Sequence, residues 1–264
     1  MMRRAALTFQ LAKRDLILRY KGSLFSTGWL LITPLIMLFV YVFVFSEIFK
    51  VKWPAAVGSQ LQEQAPAHFG LMLLIGLSVF QFFSDCLTKS TSAVTSNPNL
   101  ITKVVFPTET LPASVVMAAL FHFAISFLLI IVGKLIFTGS IGSAALFSLI
   151  IFVIMFLFAL GFAWILAAIG VYVRDLTHTV ALVMGGLMFL TPVFFPASAF
   201  PKKFAIFLDL NPIAYFIEAL RSTIMLNQLP ALETTAIYLI ISAVISFGGY
   251  RFFQKAKRGF ADVI

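Results

Sequence analysis

Charge and sulfur are what this chain has least of: 11% of its 264 residues are Asp, Glu, Lys or Arg, and it has one cysteine. A soluble domain carries about a quarter charged residues, so the shortage excludes an ordinary globular fold in water. The lone Cys86 excludes an intramolecular disulfide and reads as a structural thiol. His68, His122 and His178 stand far apart in the chain, so no metal centre is expected. A phosphate-cradling loop of the type G-x-x-x-x-G-K-[ST] is missing, the nearest approach being Gly133-Lys134 followed by Leu135. The chain is therefore expected to need no cofactor of its own and to hydrolyse no ATP.

What it has instead is apolar surface. Hydrophobic residues make up 61% of the chain and the mean hydropathy is +1.04. A helix needs about 20 apolar residues to cross a hydrocarbon core of about 30 Å. Charge-free runs of that length predict an all-α polytopic membrane protein with six spans near 28–48, 67–89, 111–136, 144–172, 178–196 and 233–252. The long run from Leu135 to Val173 is cut by Gly139-Ser140-Ile141-Gly142-Ser143, a turn composition. No separate domain boundary is visible, so residues 1–264 read as one membrane domain.

Basic residues stay on the cytoplasmic side of short loops. One set of flanks holds Arg3, Arg4, Lys13, Arg14, Arg19, Lys21, Lys89, Lys103, Arg174, Arg251, Lys255, Lys257 and Arg258; the other holds only Lys50, Lys52, Lys134, Lys202, Lys203 and Arg221. The first set predicts cytoplasmic N- and C-termini. On this reading the net charge of +9 reflects topology and anionic-lipid contact, not nucleic-acid binding. The apolar stretch after the basic start is too long for a secretory signal, and no small-residue cleavage site follows it near Phe43 to Lys52.

The middles of the spans hold no Asp, Glu, Lys or Arg, which excludes the intramembrane charges that ion-coupled transport and membrane catalysis use. His122, central in the third span, reads as a neutral imidazole bonded to a neighbouring helix or as a proton relay, the former favoured. Asp85 and Lys89 suit an i,i+4 ion pair.

Four features remain. Residues 1–21 predict a helix before the first span, with Leu7, Leu11 and Leu18 on one stripe and Phe9, Leu16 and Tyr20 on another, fitting either an interfacial helix or one between lipid and protein. The loop at 97–112 carries Leu100, Ile101, Val104, Val105 and Phe106 between prolines; such residues dock either on the chain's own helix ends or on a cytoplasmic partner. Thr191 to Arg221 is too apolar for a loop and too rich in proline for a span. It predicts a re-entrant or interfacial helical hairpin, about 197–225, at the extracytoplasmic mouth, with Glu218 and Arg221 as an i,i+3 pair. Finally, Ala159, Ala163 and Ala167 form a small-residue stripe that admits a close helix neighbour, and phenylalanine, 31 residues of 264, is overused.

Arg14-Asp15-Leu16-Ile17-Leu18-Arg19-Tyr20-Lys21-Gly22-Ser23-Leu24, then Trp29 and Pro34, the 97–112 loop, Arg174-Asp175-Leu176, Thr191 to Pro196, and Asn211-Pro212 with Arg221 follow one another in an order that resembles the permease subunits of type-two ABC exporters. The resemblance covers nearly the whole chain and is greatest to the branch that exports O-antigen, capsule or teichoic-acid glycans. It implies a homodimer in the bacterial inner membrane, joined to two cytoplasmic ABC ATPase subunits that bind ATP and Mg, moving a lipid-linked glycan outward. By the same likeness Arg14 and Tyr20 of the first helix, with Leu100, Ile101, Lys103, Val104 and Phe106, would contact the ATPase. Phe200, Phe204, Tyr215, Glu218 and Arg221 would belong to an outer gate. Sugar rings sliding over aromatics would account for part of the Phe excess, with Phe39, Tyr41 and Phe43 of the first span as path residues. Phe194-Phe195 departs from the usual pattern, in which the pair often ends in tyrosine. The alternatives are an efflux permease for a small amphiphile or drug and, from another class, a membrane-embedded glycan-modifying enzyme, which should gather carboxylates or histidines at one membrane surface.

Overall fold

The computed structural model describes residues 2–20, 28–48, 66–102 and 106–263. Among these the chain is helical: α1 (Met2–Tyr20), α2 (Trp29–Val42) running into a π-helical turn Phe43–Ile48, α3 (Pro66–Ser90), α4 (Pro98–Thr102), α5 (Thr110–Thr138), α6 (Ser148–Tyr172), α7 (Leu176–Leu190), α8 (Ala205–Asp209), α9 (Pro212–Met225), α10 (Leu232–Ala256) and α11 (Phe260–Val263). Among the described residues, four stretches are long and apolar enough to cross a membrane, His68–Ser90, Thr110–Thr138, Ser143–Tyr172 and Leu232–Gly259; Trp29–Val40 and Leu176–Leu190 are shorter apolar helices.

The helix ends follow from local chemistry. α5 stops at Gly139, whose φ of 70° is a left-handed cap that a side chain would strain. α7 stops at Leu190, six residues short of the expected 196. Pro192 disfavours helical backbone at the residue before it, and Thr191 is accordingly extended with ψ 143°. Pro34 lies inside α2 and has no amide to give the Leu30 carbonyl. α9 begins with Pro212 at its first position, and the Asn211 side chain accepts a hydrogen bond from the Ile213 amide at 3.0 Å.

α3 is the most enclosed of the long helices, packed against α2, α5, α6, α7 and α9. Its Phe83 is fully buried, stacked on Phe216 of α9 at 5.4 Å and edge-on to Phe158 of α6 at 5.9 Å. α6 pairs with α10 over the largest helix contact. Ala159, Ala163 and Ala167 are all buried on α6, and Gly161 and Gly249 lie so close that a Cβ on either would meet the other helix's backbone. α1 lies along α5, with Leu11 and Ala12 buried and Phe9 edge-on to Phe121 at 5.8 Å.

A second apolar cluster closes the end of the bundle where α3, α6 and α10 finish. It is built from Val94, Ala167, Ala168, Val171, Phe253 and Phe260. Lys89, Arg174, Arg251, Lys255, Lys257 and Arg258 all belong to this end, called the basic end below.

Candidate functional site

The two ends of the bundle carry different machinery. At the basic end, the described parts of the 97–112 loop pack on the chain itself. Pro98 starts α4, and Ile101 packs against the second cluster, beside Phe260 of α11. Leu100 and Phe106 are half-buried. The other end of the loop is held by Glu109, which is almost wholly buried: its carboxylate accepts from Lys257 Nζ at 3.1 Å and its carbonyl accepts from Trp164 Nε1 at 3.0 Å. Tyr172 donates to the Ala256 carbonyl at 3.0 Å, closing the same region. The loop is thus tied at both ends to the segment that follows α10. Lys103 and Val104 lie outside the described residues.

Arg14 is half exposed, paired with Asp15 at 3.2 Å, and lines a 320 Å³ groove together with Lys89, Ser96, Asn97 and Ser114. The structure therefore brings Arg14 beside the start of the 97–112 loop, although the two are far apart in sequence. The side chain of Tyr20 lies outside the described residues. Asp85 and Lys89 form their i,i+4 pair at 2.6 Å.

At the opposite end α8 and α9 form the helical pair between α7 and α10. The Glu218–Arg221 pair is made at 2.9 Å, with Glu218 42% and Arg221 2% exposed. Arg221 does more than pair. Its Nε and Nη2 donate to the Met72 carbonyl of α3 at 3.2 and 3.0 Å, Nη1 donates to the Pro192 carbonyl at 2.6 Å, and Nη2 donates also to the Val193 carbonyl at 2.9 Å. One planar guanidinium thereby joins α3, the proline break after α7, and α9. Asn211 adds a second tie, its amide donating to Thr191 Oγ1 at 2.8 Å. A third comes from Lys134, buried near the end of α5, which donates to the Ile224 carbonyl in the last turn of α9.

Among the remaining expected gate residues, Tyr215 donates to Thr235 Oγ1 at 2.8 Å and stacks on Tyr238 at 3.9 Å, which fastens α9 to α10. Phe200 is half-buried and stacked on Phe195 at 5.7 Å, whereas Phe204 is exposed. Phe39 and Phe43, one turn apart, are both exposed on the single chain, at 74% and 52%; the side chain of Tyr41 lies outside the described residues. Glu109 and Lys134 escaped the sequence reading. Lys134 was counted only as a flanking charge, and Glu109 carries no local signal for a partner 148 positions away.

A family model for the ABC-2 type transporter matches residues 6–225. The chain belongs to that family. It is 28% identical over 261 residues to the O-antigen export system permease protein RfbA of Myxococcus xanthus, covering 98% of this chain and 95% of that protein. A protein of the same name from Klebsiella pneumoniae is 27% identical, with 96% and 93% covered. The polysialic acid transport protein KpsM of Escherichia coli is 23% identical over 71% of this chain and 74% of its own length. The family match spans both the groove beside Arg14 and the Arg221 junction, so both belong to the ABC-2 region itself.

Proposed function

We propose that this chain is the transmembrane subunit of an ATP-driven exporter that moves a lipid-linked polysaccharide of the O-antigen, capsule or teichoic-acid type across the bacterial inner membrane. The observation that carries this reading is likeness over almost the full length of both chains to O-antigen export permeases. The working unit is a homodimer with two cytoplasmic ATPase subunits, which supply the ATP chemistry this sequence lacks. Six spans are formed by adding α2 with its π-helical turn, and α7, to the four long helices, with the basic end and both termini in the cytoplasm. Residues 1–21 and 97–112 then face the ATPase, and 197–225 forms a hairpin at the outer mouth.

The direct test is deletion of the gene in its host with staining of surface glycan. Loss of glycan, restored by the intact gene, is the expected result; unchanged glycan together with sensitivity to amphiphilic drugs would instead indicate an efflux permease. The coupling assignment has its own test. An aspartate in place of Phe106 at the core of a protein interface costs about 2 to 4 kcal/mol, which weakens the complex roughly thirtyfold or more. The Phe106→Asp permease should reach the membrane at normal level yet fail to co-purify with its ATPase. Normal co-purification and normal export would move the contact elsewhere.

The exposed pair Phe39 and Phe43 tests the path. Rings that face lipid tolerate leucine, whereas rings over which a sugar slides lose their stacking surface. The Phe39→Ala/Phe43→Ala double variant should lower surface glycan while its complex with the ATPase stays intact, and the double leucine variant should restore little of it. Normal glycan in both would remove these residues from the path.

A further inference from the structure

A recess of 370 Å³ lies between α2, α3, α5 and α7. Its volume lies within the range of about 300 to 1,000 Å³ usual for small-ligand sites. On α3 it is lined by Ser78, Gln81 and Asp85, whose spacing puts them on one face of the helix. Thr33 of α2 and His122 and Ser126 of α5 face the same space. Polar side chains within membrane helices are costly against lipid and turn toward the bundle interior or a wet cavity, so three helices presenting polar groups to one space mark a site built for polar contact.

Its electrostatics narrow the ligand class. Asp85 accepts from Lys89 Nζ at 2.6 Å and from the Gln81 side-chain amide at 3.1 Å. Among the described residues the Asp85 carboxylate is matched by the Lys89 ammonium, which favours a neutral ligand over a bare phosphate or a metal ion. The bond to Asp85 fixes the orientation of the Gln81 amide. The lining offers the hydroxyls of Thr33, Ser78 and Ser126 and the amide of Gln81. Interleaved with them on the same helices are Leu74, Leu77 and the adaptable thioether of Met37, with Met188 of α7. A ligand matching this mixed lining is neutral, carries several hydroxyls and has an apolar C–H face.

We propose that this recess binds one hydroxyl-rich ring, a single sugar unit of the exported glycan. The assignment rests on the glycan reading above and adds to it a place where one unit is held. Contacts of this mixed kind are individually weak and replaceable, which suits a polymer that must be released at each advance.

The test uses the full chain in lipid nanodiscs with Cys86, the only native cysteine, replaced by alanine and Thr33→Cys as the reporter. Thr33 lines the recess and is exposed, so N-ethylmaleimide should label it. By mass action a ligand at about ten times its Kd slows labelling roughly tenfold. Hexyl β-D-glucoside should give that protection, hexylphosphocholine of equal tail length should not, and Gln81→Leu should abolish it without changing the unprotected rate. Equal protection by both amphiphiles would make the recess a tail-binding site and overturn the proposal. So would protection by neither, or a Thr33→Cys that cannot be labelled. If deletion of the gene removes surface glycan but protection fails, only this assignment falls; if deletion leaves glycan unchanged, the export reading itself falls.

Discussion

Replacing Arg221 with methionine is expected to cost the protein the junction of α3, α7 and α9. Methionine fills much of the space but donates nothing, leaving the buried carbonyls of Met72, Pro192 and Val193 without the guanidinium. A buried acceptor deprived of its donor costs about 1 to 3 kcal/mol, and breaking a buried charged contact costs about 3 to 5 kcal/mol. At about 2 to 4 °C per kcal/mol for a chain of this size, the midpoint of thermal unfolding in detergent should fall by roughly 10 °C, with export lost. Glu218→Gln should do far less, because Glu218 is 42% exposed and water can serve the arginine's remaining bond. Arg221→Lys, with one ammonium for three carbonyls, should lie between. An Arg221→Met protein with unchanged melting and normal export would show that α3, α7 and α9 are joined by packing alone.

Gly249→Leu is expected to be at least as damaging, and its neighbour supplies the control. A Cβ at Gly249 would fall on the Gly161 carbonyl of α6, whereas one at Gly248 meets nothing within 4 Å. Overpacking a close contact costs about 1 to 3 kcal/mol when side chains can yield, and more here because the obstacle is backbone. The Gly249→Leu chain should aggregate or be degraded, while Gly248→Leu should accumulate and export normally. Size-exclusion profiles of the two, compared with Gly161→Leu, give the answer. Equal yields would mean that α6 and α10 can part without loss of the fold.

Apolar helices leave a strong trace in sequence because lipid demands one long uncharged run for each. The extents of α3, α5, α6 and α10 follow those runs to within a few residues. The turn at Gly139 and the alanine stripe of α6 were equally legible, since each depends on residues close in sequence. The end of α7 was misplaced because counting apolar residues through Phe194 and Phe195 outweighed Pro192, which decides the matter locally. What sequence could not convey was the company kept by Arg221 and Lys134. Their acceptors are main-chain carbonyls, which every residue possesses, so no residue type marks Met72, Pro192 or Ile224 as a partner. The Glu109–Lys257 pair is hidden for a related reason: opposite charges 148 positions apart follow no periodicity. The recess around Gln81 leaves no trace in sequence either, because Thr33, Ser78 and Ser126 are ordinary in helices until three helices aim them at one space.

The tie between the 97–112 loop and the residues after α10 bears on the order in which the protein becomes competent. Lys257 and Phe260 are made after α10, yet one holds Glu109 and the other belongs to the cluster against which Ile101 rests. A nascent chain still attached to the ribosome before this point has a loop with neither support. If that loop is where the ATPase docks, translation itself schedules assembly: motor subunits meet a finished docking surface only on chains that extend past α10. Chains truncated after α10 would then stay unpaired in the membrane instead of consuming ATP in dead complexes.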